Sequence, residues 1–161
     1  MTDQFSNSAI KAILHEYELA KTGLVNVIEN VSPDDLLRKM DLKTTDPNCV
    51  SIQSILRHVC QSSYGYLNSI QINRDKPTIA VPVNLWYDNI ADYTDQLDEL
   101  MKVHYTFLID LSDHDIEELI DEKKIISSWR QKYDIEQLLE HAIVHILRHR
   151  YQIESFIKRL L

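Results

Sequence analysis

Residues 134–160 read DIEQLLEHAIVHILRHRYQIESFIKRL, and the fold turns on this stretch. Taken in alternating steps of four and three, its apolar seam runs Leu138, Ala142, His145, His149, Gln152, Phe156 and on to Leu160. That period puts the seam on one stripe of an α-helix. Asp134 followed by Gln137 is a variant of the capping box, each side chain positioned to bond the other's backbone amide. The stretch therefore predicts a long helix that starts at Asp134 and carries two histidines on the face meant for the interior.

Working outward, three more segments share this period. Ile10, Ile13, Tyr17, Ala20, Leu24, Val27 and Val31 form a stripe with Ser6 or Ser8 as N-cap. Gly23 sits inside it, where a neighbouring element would approach closely. A second long helix is expected from about Ser51 to Ile72, with Ile52, Ile55, Val59, Tyr66 and Ile70 inward. A third is expected from Asn84, with Trp86, Ile90, Tyr93, Leu97, Leu100, His104, Phe107 and Leu111 in register.

The connections carry their own signals. Ser32-Pro33-Asp34-Asp35 starts a short helix ending near Met40, with a cap, a proline at the first helical position and acids at the positive end. Residues 41–50 read as a loop turning at Asp46-Pro47-Asn48, and residues 73–83, with Pro77 and Pro82, as the longest connection. Ser112 and Asp113 cap a short acidic helix through about Asp121. Lys123 to Tyr133 has mixed character, with Ile125, Ile126 and Trp129 expected to tuck under the bundle. There is no internal repeat, low-complexity tract or extended strand-period segment. The expectation is an all-α, four-helix bundle with short extra helices in its connections, forming one domain over 1–161.

Composition narrows the function classes. The chain has 161 residues, 17 Lys and Arg against 25 Asp and Glu, and a net charge of −8. Phosphate neutralisation needs clustered cations, so no nucleic-acid partner is expected. No apolar run approaches the ~20 residues of a membrane span and no signal-peptide pattern opens the chain, which makes a cytoplasmic location the expectation. With only 2 Gly, no glycine-rich phosphate loop is present. Cys49 and Cys60 are too few for a disulfide framework, leaving at most a single bridge.

The 7 histidines are the surplus that composition does not explain. His145 and His149, four apart, lie one turn above each other and about 40° apart around the axis. Two imidazoles so placed can converge on one ion, and burying them with no partner is costly. His58 on the second helix, on one face with Ile55 and Ser62, is the candidate third ligand. Three histidines leave an open coordination position, as in catalytic zinc sites, although imidazole also suits nickel, copper and iron(II). His15 and His114 read as surface groups. His104 and His141 remain open, the first as a possible fourth ligand. The segment from His141 to His145 is not a zincin motif, because Ala142 stands where that motif has its catalytic Glu.

The segments LLEHAIVHILRHRYQIESF and SIQSILRHVCQSSYGYLNSI together resemble the DinB/YfiT-like superfamily. The resemblance follows the helix order over nearly the whole chain. Its specific part is one histidine on the second helix and a pair four apart on the fourth. It implies a four-helix bundle, often homodimeric, with a tri-histidine divalent-metal site at His58, His145 and His149. Ile146 stands where many relatives have an acidic residue, and Tyr151 where many have Gly. The superfamily includes bacillithiol- and mycothiol-dependent transferases and isomerases, besides members with no assigned activity.

The leading expectation is a metal-dependent thiol transferase or hydrolase acting on a small molecule, with zinc or nickel bound and a low-molecular-weight thiol as cosubstrate. Tyr64, Tyr66, Arg148 and Arg150 are candidates to hold substrate, with surface pairing to Glu140 or Glu154 the alternative for the arginines. The alternative function is a non-catalytic metal-binding or dimeric interaction protein; a third is a metal-free bundle whose histidines only hydrogen-bond.

Overall fold

In the computed structural model, residues 8–160 are described, and four of the helices among them are long. These are α1 (Ala9–Ile28), α3 (Ile52–Asn73), α4 (Ile90–Leu108) and α6 (Ile135–Lys158). The shorter helices α2 (Pro33–Leu37) and α5 (Asp113–Ile116) lie in the connections, with 3-10 turns at Pro47–Cys49 and Asp121–Lys123. A minimal antiparallel hairpin pairs β1 (Ile125–Ile126) with β2 (Lys132–Tyr133). The chain is an all-α bundle.

Local chemistry starts most of these helices. At α6, Asp134 Oδ1 accepts from the Gln137 amide at 2.8 Å and Gln137 Oε1 accepts from the Asp134 amide at 3.2 Å. Ser51 and Ser54 make the same reciprocal pair at α3, and Ser112 and Asp115 at α5. Ser32 caps α2, and Asp46 caps the turn that begins at Pro47. The first helix differs. Ser8 stands at its N-cap without a side-chain bond, and the Asp113 carboxylate accepts from the Ala9 amide at 2.9 Å instead. The other cap candidate, Ser6, lies outside the described residues.

The packing is a closed ring in which α1 and α3 each lie against both α6 and α4. Leu14, Leu24, Ile28, Ile55, Leu56, Leu67, Ile70, Leu108, Leu139 and Ile153 are fully buried within it. Each such side chain contributes about 1.5–3 kcal/mol relative to exposure. Where Gly23 faces α6, a Cβ would stand 2.5 Å from the Arg150 guanidinium, so the glycine lets that side chain cross α1.

Several expectations need correction. Helix α4 begins at Ile90, six residues after the start expected at Asn84. Asn84 Oδ1 accepts from the Trp86 amide at 2.9 Å, a local bond that competes with helix, and Asn89 caps from Asp92. Trp86 is consequently 48% exposed, with the Arg57 guanidinium 4.8 Å from its ring. The short helices end early, at Leu37 and Ile116. Of the three residues expected under the bundle, only Ile125 is buried; Ile126 alternates outward along the strand, and Trp129 stands 43% exposed at the hairpin turn. The two cysteines are free.

Candidate metal centre

Helix α3 carries His58 and helix α6 carries His145 and His149, and the packing of these two helices brings the three imidazoles together. The Nε2 atoms of His58 and His145 are 3.0 Å apart, and those of His145 and His149 are 3.1 Å apart. The rings meet edge to face, at 61°, 82° and 76°, and one nitrogen from each lies within 4.8 Å of the others. Gln152, one turn on, settles the tautomer of His149. Its Oε1 accepts from Nδ1–H at 3.1 Å, which leaves the Nε2 lone pair facing the cluster. The same Oε1 accepts the Cys49 thiol at 3.7 Å.

This arrangement fits a divalent cation. His145 Nε2 faces two other ring nitrogens and holds either one proton or one lone pair, so it cannot satisfy both through hydrogen bonds. A cation at the convergence satisfies all three. With metal–nitrogen bonds of about 2.1 Å and tetrahedral angles, neighbouring ligand nitrogens stand about 3.4 Å apart, within a few tenths of the two Nε2 spacings at His145, and all three ring nitrogens lie within 4.8 Å of one another. Among the described residues this is the one group of three or more histidine, cysteine or acidic side chains with metal-binding spacing.

Burial also keeps the three imidazoles in the form a metal would need. It lowers His145 to about 3, helped by the neighbouring imidazoles and Arg148, and lowers His149 to about 4 against the Gln152 bond. His58 is lowered by burial too, against the attraction of Asp46. All three are neutral at neutral pH, and a metal need displace no proton from them.

A cleft of about 580 Å³ opens beside the cluster, reaching His58 and His145. Helix α3 lines it with Ser62, Gly65, Tyr66 and Ser69, and α6 with Leu138, His141 and Arg148. The hairpin closes the third side with Ile125, Ser127, Ser128 and Trp129. Of the four residues named as candidates to hold substrate, Tyr66 and Arg148 line this cleft. Tyr64 and Arg150 do not: the Tyr64 hydroxyl accepts from Gln96 on α4, and Arg150 crosses α1 and pairs with Glu154.

The remaining histidines divide clearly. His15 and His114 are exposed. His104 is fully buried but turned to α1, its ring 4.6 Å from Tyr17 and its Nδ1–H donating to the Leu100 carbonyl at 2.7 Å. It is not part of the cluster. His141 stacks on Trp129 at 5.0 Å in the cleft wall. Sequence reasoning missed the roles of Trp129, Gly65 and Gln152. For Gly65 a signal existed: His58, Ser62, Gly65 and Ser69 recur in steps of three and four, on one face of α3.

The DinB family model matches residues 5–160, which spans all four long helices and the three clustered histidines. No curated protein matches the chain.

Proposed function

Because the chain belongs to the DinB family, we propose that it is a divalent-metal enzyme of thiol-transferase or hydrolase type, with His58, His145 and His149 as ligands. Zinc or nickel suits this all-imidazole set. The observation that carries the reading is the convergence of three Nε2 atoms beside a cleft large enough for a small molecule. An ion held by three imidazoles keeps an open position and supplies the Lewis acidity that lowers the pKa of a bound thiol or water.

The surrounding residues have separable tasks. Gln152 holds the His149 ring in place through Nδ1. Burial keeps the Tyr66 phenol protonated, up at about 12, so it serves the cleft as a hydrogen-bond donor and not as a base. Arg148 supplies positive charge at the cleft wall. The test is turnover. Metal-loaded protein with a low-molecular-weight thiol and an alkylating electrophile, or with an activated ester, should react at least tenfold faster than His145→Ala under the same conditions. Equal rates across several thiols and esters would favour the non-catalytic metal-binding reading.

A homodimer is compatible with either reading and is favoured by the outer face of α6. Val144, Leu147 and Tyr151, at i, i+3 and i+7, are 60%, 37% and 72% exposed. Sedimentation should give a dimer that Tyr151→Glu dissociates; a monomer in the unsubstituted protein would remove this part.

A further inference from the structure

The net charge of −8 conceals a local exception. Among the described residues, the lining of the 580 Å³ cleft includes no aspartate and no glutamate, although 25 acids are spread over the chain. It does include Arg148, and among the described residues no carboxylate lies within ion-pair distance of that guanidinium. A separate depression along α4 is the opposite, with four acids around one lysine. A cation that is left unneutralised beside an acid-free recess is a recognition element for an anion.

The walls specify the rest of the ligand. Trp129 stacks on His141 at 27°, and Tyr66 meets both rings edge-on at 88° and 79°. With Ile125 and Leu138 they make flat apolar surfaces, while Ser62 and Ser128 add hydroxyls. Gly65 provides the space. A Cβ built there meets nothing within 4 Å, so this glycine is not required by helix packing and keeps the cleft open.

We propose that this cleft binds a small molecule with a flat, unsaturated ring portion against Trp129 and Tyr66 and an anionic group at Arg148. That the molecule is a substrate rests on the metal-enzyme reading above, since the cleft ends at His58 and His145.

The probes are 2-naphthalenesulfonate and the uncharged 2-naphthalenemethanol. A sulfonate is a poor metal ligand, so it reports on Arg148 and not on the histidines. Calorimetric titration of chelator-treated and zinc-treated protein should show the sulfonate binding at least tenfold tighter than the alcohol in both. Gly65→Leu should weaken the sulfonate at least tenfold while retaining the helical circular dichroism of the parent. Arg148→Met should abolish most of the preference for the sulfonate. Both variants should take up zinc as the parent does. Equal affinity for the two probes, or a Gly65→Leu protein that binds the sulfonate as tightly as the parent, overturns the proposal. Normal sulfonate selectivity with no zinc uptake would instead remove the metal reading and leave the anion cleft standing.

Discussion

Gln152 orients one ring of the histidine cluster, that of His149. It reaches back one turn to His149 and outward to Cys49 on the connecting loop, so a single amide oxygen ties α6 to the segment before α3. Groups that orient a ligand imidazole are typically worth 10–100-fold in metal affinity. Gln152→Leu should therefore bind zinc about 10–100-fold more weakly in a chelator competition; unchanged affinity would mean that packing alone orients the ring. His104 is a buried histidine of the opposite kind. Burial lowers it to about 4, outweighing the Leu100 bond, so the folded protein keeps it neutral while the unfolded chain protonates it below about 6.5. The unfolded state then binds the extra proton, and stability falls as the pH drops from about 6.5 to about 4. Replacing it by leucine should flatten that loss by about 2–3 kcal/mol, measured by urea unfolding at pH 7 and pH 4.5. An unchanged pH slope would contradict the assignment.

At the scale of elements, α6 was the most legible part of the chain. Its cap, its seam and its histidine pair all follow from local rules that do not need the rest of the molecule. Asp134→Ala removes half of the reciprocal cap and should cost about 1 kcal/mol, seen as a melting temperature lower by about 2–4 °C. Helix α4 shows the opposite case. Trp86 continues its apolar pattern, but the Asn84 side chain bonds the Trp86 amide and diverts the chain from helix until Asn89 caps it. Periodicity cannot register a side chain that competes for one backbone amide. The hairpin was equally hidden, because two-residue strands are too short to show an alternating pattern. Trp129 consequently read as a core residue when it forms a wall of the cleft. The candidate site was legible where ligands shared one helix. His58 was reached by its stripe on α3, but which face of α3 meets α6 depends on packing.

Across the whole molecule, an ion at the cluster would link metal binding to stability. The cluster joins α3 to α6, which are far apart in sequence, and an unfolded chain does not preserve that geometry. An ion that binds only the folded form stabilises it by about 2.7 kcal/mol when free metal stands at 100 times the dissociation constant. Zinc or nickel should accordingly raise the melting temperature of the parent protein and leave that of His145→Ala where it was. Equal shifts in both would point to binding elsewhere. The charge of the molecule belongs to the same scale: a net −8 gives little purchase to polyanions overall, while the acid-free cleft reserves one small region for a small anion. Among the described residues no helix is long and apolar enough to cross a membrane.

Metal chemistry at this site requires His58, His145 and His149 to hold one ion. This is tested most directly by elemental analysis of protein purified without a histidine tag, incubated with zinc or nickel and then desalted. One ion per chain is expected, falling to near zero in His145→Ala and His149→Ala. Parent protein that retains no metal, or a His145→Ala variant that retains as much as the parent, would contradict it.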